Sequence, residues 1–560
     1  MKLAAKKKAR TPQILSRVSA LGAFVVIAAI IIVYHAAPRQ GLVWDDIYLT
    51  TKNPYLQSIS GLPTLLTKDW WTASAMGESS AYFRPTVLFS FWINRLFGNT
   101  AASYHVGNLV LHCAASVLLL AWLRLNAKLN TKLLVCLGVW FGVAALNTET
   151  VVWISGRCES IGVCFGVGAL LVNRLPGRRW MLLTYALALL SALSKEPFVF
   201  VPLLVVSQDV LLQKSAVKEC VVRGAAALAT VAFYFLLRRA ADVPTSSAAA
   251  SVGVFGALRS FAFMLYTMAP LVLLPLHLDT AHLYRPLPIV GLIAVGLVVV
   301  GGFAFLGWRI HRGSNAARLA AFGGAVLLVT LAPVSLVNAD QGYAGERYFY
   351  FPLLGLTIMA AAGLGLVSKF SATTFVVGAL ALVQAPLTMA RVNDWSDELT
   401  LFRSSVTNDP SNGYALYALA DIEARSGDYD GAEQHLIAAE QLGWHDHHVD
   451  LVECFVYMRQ KRHALAEKTC VKATESGPTD PRAWLNLASA YVNGGKPKDA
   501  EGAASNAIQL KPSYAEAYFV RGLARSRLGK TDNARADLQE TLRINPSHTQ
   551  ATLALEKLSH

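Results

Sequence analysis

The amino-acid sequence predicts an all-α protein in two parts: a polytopic transmembrane helical domain over residues 1–392 and an α-solenoid of helix hairpins over residues 393–560. Three observations carry that prediction. Of the 560 residues, 54% are hydrophobic and 15% charged, with a mean hydropathy of +0.41; an ordinary soluble chain has about 25% charged residues. The deficit is uneven, because residues 1–390 hold 31 Lys and Arg and 13 Asp and Glu, whereas residues 391–560 hold 19 and 23. Finally, Pro478, Pro512 and Pro546 recur every 34 residues, the kind of fixed period that stacked repeats show. The net charge of +14 therefore belongs to the membrane part, where Lys and Arg collect on inside loops. It does not mark a nucleic-acid partner.

The membrane part begins with Lys2, Lys6, Lys7, Lys8, Arg10 and Arg17, followed by an apolar run over about 18–37. A cleaved signal peptide ending near His35-Ala36-Ala37 is the rival reading. The run is long enough to span, however, and in either case its basic end stays inside. Further apolar runs lie at about 104–123, 133–150, 159–173, 180–195, 197–212, 221–237, 288–308, 319–337, 348–367 and 371–390. The run at about 255–277 is ambiguous. If it does not cross, then Arg124, Lys128, Lys132, Arg174, Arg178, Arg179, Lys214, Lys218, Arg309, Arg312, Arg318 and Lys369 all fall inside. That reading yields about eleven spans and places the solenoid outside. Only Asp209 and Glu219, of the 13 acids in this part, then fall inside. Asp45, Asp46, Asp69, Glu78, Glu149, Glu159, Glu196, Asp242, Asp279, Asp340 and Glu346 gather at the outer face. Exclusion from inside loops explains part of this asymmetry. Ionisable groups at membrane depth are costly and tend to be functional, so the outer face also reads as a polar reaction chamber. Cys113, Cys136, Cys158, Cys164 and Cys220 lie in or beside apolar segments as packing residues, and no cysteine spacing suggests zinc.

In the second part the 34-residue period has internal structure. Trp484, Leu487, Ala488, Tyr491, Ala500, Ala504, Ala507 and Pro512 form one unit, and Tyr518, Gly522, Ala534, Leu538 and Pro546 repeat it. Earlier copies read Leu416, Leu419, Ala420, Ala432, Leu436 and Ala439, then Cys454, Tyr457, Ala466, Cys470 and Ala473. This is the tetratricopeptide (TPR) pattern: small residues let two helices approach, and proline ends each unit. It predicts repeats at about 410–443, 444–477, 478–511 and 512–545, with a solvating helix over 546–560. Such an array binds a protein or peptide and has no chemistry of its own. Cys454 and Cys470 fall on the two helices of one repeat; packing residues are the preferred reading, and a disulfide is the alternative if the array faces an oxidising compartment.

Candidate chemistry sits in the first outer loop, about 38–105, which is rich in aromatics (Trp44, Tyr48, Tyr55, Trp70, Trp71, Tyr82, Phe83) and opens with Trp44-Asp45-Asp46. Adjacent carboxylates at a membrane surface suit a general base and a cation ligand; a solvated turn is the plain alternative. The order Trp44-Asp45-Asp46, Asn53-Pro54, Phe83-Arg84-Pro85, Asn94, Tyr104-His105, Asn108, His112, Gly156-Arg157-Cys158-Glu159, Lys195-Glu196, Gly345-Glu346-Arg347-Tyr348 and Trp395, followed by the repeats, resembles the transmembrane-and-TPR-containing O-mannosyltransferases and their bacterial relatives, a branch of the GT-C glycosyltransferases. The chain departs from that pattern at Arg84-Pro85-Thr86, where the family has Arg-Pro-Leu, and at Cys158, where it usually has Gly-Arg-Ala-Glu.

The resemblance implies a polyprenyl-phosphate sugar donor, with mannose as the sugar, and no covalently bound cofactor. It also implies an inverting attack by an acceptor hydroxyl of a protein Ser or Thr or of a glycan, and an acidic base in the first outer loop. Asp45 or Asp46 would be that base, the other orienting the loop or holding a divalent cation if one is used. The departing lipid phosphate gains charge, which a guanidinium matches; Arg84, Arg157, Arg238, Arg239 and Arg347 are the candidates, with Arg285 also outside. Arg238 and Arg239 break the inside bias for basic residues, which headgroup anchoring explains equally well. His105, His112, Glu159, Lys195, Glu196 and Glu346 complete the expected chamber lining, although helix histidines are commonly structural. Trp44, Trp70 and Trp71 suit sugar stacking or an interfacial belt. The expected setting is a bacterial inner membrane with the repeats periplasmic, in contact with membrane lipid, lipid-linked sugar and a protein or peptide. The competing function is a non-enzymatic scaffold that assembles an envelope complex. A transporter would show internally repeated broken helices, and the two halves of the membrane part do not correspond.

Overall fold

The computed structural model describes residues 20–76, 79–244, 248–285, 287–366 and 370–559. Lys2, Lys6, Lys7, Lys8, Arg10, Arg17, Glu78 and Lys369 lie outside the described residues, as does the side chain of Asp340. The chain divides into two units, Met1–Leu401 and Phe402–His560. The division falls later than the expected 392/393 because the segment after Asp394 still belongs to the first core. Trp395 and Leu401 are fully buried in it, and Glu398 accepts the Trp44 amide at 2.9 Å.

The first unit is helical apart from a two-stranded antiparallel pairing of His282–Leu283 with Tyr343–Ala344. Ten described helices are long and apolar enough to cross a membrane: Ala20–Arg39, Ala101–Asn126, Ile154–Val172, Glu196–Gln213, Val217–Ala240, Gly253–Leu273, Ile289–His311, Asn315–Leu336, Glu346–Leu364 and Ser371–Asp394. The bent pair Thr131–Val143 and Ala145–Val152 brings the number to eleven. The number agrees with the eleven expected, but the set that is long and apolar enough differs at two places. The run at 180–195 forms a 15-residue helix, Arg178–Ala192, shorter than the roughly 20 residues of a typical span, although it joins Arg174 at one cavity to Lys195 at the other. The run at 255–277 qualifies by length and apolarity, although Gly253 (φ 66°) and Pro270 interrupt its helix.

The bend has a local cause and a use. Ala144 turns extended (ψ 126°), and the freed carbonyl of Phe141 accepts from Asn147 Nδ2 at 2.6 Å. The chain then restarts as Thr148–Val152, which carries Glu149 to the site described below. Close packing also depends on Gly162, where a Cβ would lie 2.6 Å from both the Phe198 ring and Ser194 Oγ. Any side chain there would push apart the helices that carry Glu159 and Lys195.

Two polar cavities mark opposite ends of this unit. Cys158, Glu196, Pro333 and Val334 line one, and Arg174, Leu211, Leu212 and Leu319 line the other. The 16 residues from Cys158 to Arg174 rise about 24 Å along a helix axis. Loops expected outside meet at the first cavity, and loops expected inside meet at the second.

The second unit consists of four helix hairpins: Gly413–Ser426 with Tyr429–Gln441, His447–Arg459 with His463–Ser476, Pro481–Asn493 with Pro497–Leu510, and Ala515–Arg527 with Thr531–Ile544. A final helix, Thr549–Ser559, follows. Alanines line the hairpin interiors: Ala420, Ala432, Ala488, Ala500, Ala504, Ala524 and Ala534 have no exposed surface. Repeats are also tied by ion pairs, with Arg525 bridging Glu501 and Asp537 at 2.9 Å each. The preferred reading of Cys454 and Cys470 as mere packing residues is corrected: they are disulfide-bonded, with Cα atoms 4.9 Å apart. The same small-residue pattern that lets the helices approach brings these two sulfurs together.

Residues 402–560 should therefore give a helical circular-dichroism spectrum and a cooperative melt when expressed alone; a disordered spectrum would contradict an autonomous array. Ala500→Leu should lower the stability of that fragment by about 1–3 kcal/mol through overpacking, read from denaturant unfolding.

Candidate active site

The first of the two polar cavities has a volume of about 330 Å³. Its lining includes one free-facing acid, Asp45, four cations, Arg84, Lys195, Arg238 and Arg347, and the rings of Trp70, Trp71, Tyr82, Trp153 and Tyr348. These come from segments far apart in sequence, joined by the bend at 144 and by the tight seat at Gly162.

Asp45 and Asp46 point in different directions. Asp46 is wholly buried. Its Oδ1 accepts the Ser155 amide at 3.0 Å, and its Oδ2 accepts the amides of Val43 and Ile154 at 3.4 Å each. It thus clamps the first outer loop onto the 153–156 turn. Asp45 is only half-buried, lines the cavity, and accepts from Ser155 Oγ at 2.9 Å. Burial pushes the Asp45 carboxyl up to about 6, against the pull of the Ser155 hydroxyl and of Arg347 and Arg84. Burial, and then the charge of Asp45, hold Asp46 well above the usual carboxylate range. Asp45 is thus the carboxylate that titrates near neutrality and also reaches the cavity. The residue before it, Trp44, has φ 53°, a left-handed conformation rare for a bulky side chain and found preferentially at functional sites. Edge contacts with Trp153 and Trp395, at ring distances of 5.3 and 5.5 Å, hold it there.

Each cavity cation has a fixed partner within the protein. Glu196 pairs with Arg84 at 2.9 Å, Glu159 pairs with Lys195, and Glu149 pairs with Arg347. Arg238 donates to the carbonyls of Ala81 at 2.7 Å and Pro244 at 3.0 Å. Rings flank the same groups: Arg84 lies 4.6 Å from the Tyr82 centroid, Lys195 4.7 Å from Tyr348, and Arg347 4.9 Å from Trp153. Burial acts to lower the Arg84 and Lys195 values, yet Glu196 and Glu159 respectively leave both raised, so both stay charged. The cavity is a fixed cationic cradle beside one carboxylate.

Several expected residues lie elsewhere. Arg157 does not line the cavity. It is 1% exposed and donates to Asn108 Oδ1 at 2.6 Å, Asn94 Oδ1 at 2.8 Å and the Tyr104 carbonyl at 2.7 Å, over the face of Phe91. It is a buried structural cation, because Asn94, Asn108 and a helix carbonyl use its fork. Arg239 is exposed and absent from the lining. His105 contacts the Gly41 carbonyl at 3.1 Å, and His112 bridges the Tyr350 hydroxyl and the Gly142 carbonyl at 2.8 Å each; both are helix-packing histidines. Glu159 stands behind Lys195 rather than on the cavity surface. Glu346 is buried in a separate cluster, 3.6 Å from Arg391 and 3.8 Å from His282. Residues that the sequence reading left off the site are Ser155, which joins the two aspartates, and Glu149, which anchors Arg347. The neighbouring Gly156-Arg157-Cys158-Glu159 motif was the only signal for the first.

A divalent cation shared by Asp45 and Asp46 does not fit this donor set. Both Asp46 oxygens are engaged by N–H donors, and the other acid lining the cavity, Glu196, is paired with Arg84. Among the described residues, the acid and imidazole groups close enough to share an ion lie in the repeats, at Asp446, His447 and His448 and at Glu440, Asp450 and Glu453. The repeats carry a cavity of their own, about 310 Å³, lined by Tyr417, Arg425, His448, Phe455, Arg482 and Tyr514 among others.

Comparison with known proteins gives a concordant picture. A tetratricopeptide-repeat family model matches residues 391–447 and 485–549. A solved structure of the first TPR of Spaghetti (RPAP3) bound to an HSP90 peptide is 32% identical, covering 20% of this chain and 90% of its own, with a TM-score of 0.20. A protein O-mannosyl-transferase of Caenorhabditis elegans is 23% identical over 75% of this chain, and protein O-mannosyl-transferase TMTC3 of Mus musculus is 22% identical over 90% of it. The chain spans 62% of the length of each of these two relatives. The homologues of this multi-pass, repeat-bearing chain are thus protein O-mannosyl-transferases of the TMTC type, and its sequence is similar to theirs along most of its length.

Proposed function

We propose that the chain is an inverting glycosyltransferase that moves a mannosyl group from a polyprenyl-phosphate donor to an acceptor hydroxyl, with Asp45 as general base. The observation that carries this reading is the single cavity in which one carboxylate, raised to about 6, faces four anchored cations. Asp45 takes the proton of the acceptor hydroxyl as its oxygen bonds to the anomeric carbon. The bond from that carbon to the phosphate oxygen breaks on the opposite side, and its electron pair leaves with the lipid phosphate. That phosphate gains one negative charge, which Arg84, Arg238, Arg347 and Lys195 meet without having to move. Tyr82, Trp70 and Trp71 supply flat apolar faces for the sugar. Asp46 and Ser155 keep Asp45 in place.

The acceptor in this reading is a Ser or Thr of a protein brought by the repeats, whose aromatic and basic cavity suits an extended peptide. The repeats then lie on the outer side with the cavity, as in a bacterial periplasm. Two independent features support that placement: the charge bias of the loops and the Cys454–Cys470 disulfide, a bond that persists in oxidising compartments. A pure scaffold has no use for a buried carboxylate facing four anchored cations.

Asp45→Asn should lower turnover about 10²–10⁴-fold while leaving donor binding intact; parent-level transfer by this variant would remove Asp45 as the base. Because the base works as the carboxylate, kcat/KM should be full above pH ~6 and fall about tenfold per unit below it; a flat profile between pH 5 and 7 would contradict the assignment. Arg238→Gln should weaken donor binding roughly 10- to 100-fold, the loss of one charge-assisted hydrogen bond. Asp46→Ala should instead lower folding stability by about 1–3 kcal/mol, since it strands the Ser155 amide, measured by thermal unfolding in detergent. For orientation, Ser411→Cys should react with a membrane-impermeant maleimide in intact cells; labelling only after lysis would reverse the topology.

A further inference from the structure

The second polar cavity, about 370 Å³, sits at the end opposite the candidate active site. Its lining contains four cations, Lys128, Arg174, Lys214 and Arg318, two side-chain amides, Asn126 and Asn315, and no carboxylate. Each cation comes from a different loop or helix end. Lys128 follows Ala101–Asn126, Arg174 follows Arg157–Val172, Lys214 follows the π-helical turn Asp209–Gln213, and Arg318 lies in the first turn of Asn315–Gln341. Like charges gathered around one small cavity repel, so the arrangement needs an anion to balance it.

The nearby acid does not supply that balance. Asp209 pairs with Arg223 at 3.2 Å and accepts from Asn173 at 2.9 Å and Gln213 at 3.0 Å. Among the described residues no ion pair takes Lys128, Lys214 or Arg318, and Arg318 Nε is buried without a hydrogen-bond partner. Two details show that the site is built rather than loose. Asn126 Oδ1 accepts from Arg174 at 2.5 Å, which orients that guanidinium. Lys214 holds φ 52°, a left-handed conformation, directly after a π-helical turn; both features concentrate at functional positions. The remaining walls are apolar, from Leu125, Leu211, Leu212, Leu319, Ala361 and Ala362. An inside-loop charge bias alone puts cations on this side of a membrane but gives no reason for four of them, with two amides, to line one cavity.

We propose that this cavity binds the phosphate of an anionic phospholipid headgroup, with the guanidinium and ammonium groups on the phosphate and the leucine walls along the first carbons of the lipid. Basic pockets between membrane helices on the inside face recognise headgroups in this way. The proposal is independent of the transfer reaction at the other end of the unit.

The test uses the purified full-length protein in neutral detergent, with thermal unfolding titrated against phosphatidylglycerol, phosphatidylcholine or inorganic phosphate. Phosphatidylglycerol should raise the unfolding midpoint saturably, while phosphatidylcholine should not, and inorganic phosphate should do so only at far higher concentration. The double variant Lys214→Gln/Arg318→Gln should need about 30-fold more phosphatidylglycerol for half-saturation, and the exposed Lys128→Gln about fivefold more. Equal protection by phosphatidylcholine would overturn the proposal. Equal protection by inorganic phosphate would assign the site to a soluble anion instead of a lipid. If the double variant fails to fold, the single variant decides: an unchanged half-saturation for Lys128→Gln would overturn the headgroup assignment.

Discussion

The end of the membrane unit that holds the candidate site depends on three ion pairs, Arg84–Glu196, Lys195–Glu159 and Arg347–Glu149. A cation withdrawn from water is costly unless it is paired with good geometry. Here each cation meets a carboxylate carried by a different element or by the next residue's helix, so satisfying the charge also fixes how those helices meet. Glu149 reaches Arg347 only because the helix pair bends at Ala144. Glu159 reaches Lys195 only because Gly162 has no side chain. Glu149 and Glu159 stand off the cavity surface, whereas Glu196 shares the lining with Arg84.

The two adjacent aspartates show how one dipeptide supplies two roles. Successive side chains diverge where the backbone turns, and the left-handed Trp44 sets that turn. Asp46 goes inward to three backbone amides, and Asp45 goes to the cavity. Burial raises the carboxyl of Asp45 to about 6, which is what the proposed role as a base near neutral pH requires.

Much of this architecture was legible in the sequence, for reasons specific to each feature. The repeats were visible because proline and alanine recur with a fixed 34-residue period. Most spans were visible because apolar runs and basic loops alternate. Asp45, Arg84, Lys195, Glu196, Arg238 and Arg347 were marked by charge at the face expected to lie outside, and the cavity gathers them. Charge alone does not say which way a side chain points: Arg157 is as basic as Arg84 but is used up by Asn94, Asn108 and Tyr104, and Glu346 belongs to a separate buried cluster with Arg391. Hydropathy likewise did not show that the run at 180–195 would give a helix of only 15 residues, Arg178–Ala192, or that Gly253–Leu273 would be kinked. The link between Cys454 and Cys470 depends on a 4.9 Å backbone approach that spacing suggests but does not establish.

The central claim is a single displacement in which an acceptor hydroxyl, deprotonated by Asp45, attacks the anomeric carbon from the face opposite the lipid phosphate. It is tested most directly by the stereochemistry of the product. Purified full-length protein would be given a polyprenyl-phosphate mannose of defined anomeric configuration and a Ser/Thr-containing peptide, and the linkage formed would be assigned by the one-bond carbon–proton coupling at the anomeric centre. The account predicts complete inversion relative to the donor. A product that retains the donor configuration would require a second displacement on the enzyme and would contradict it.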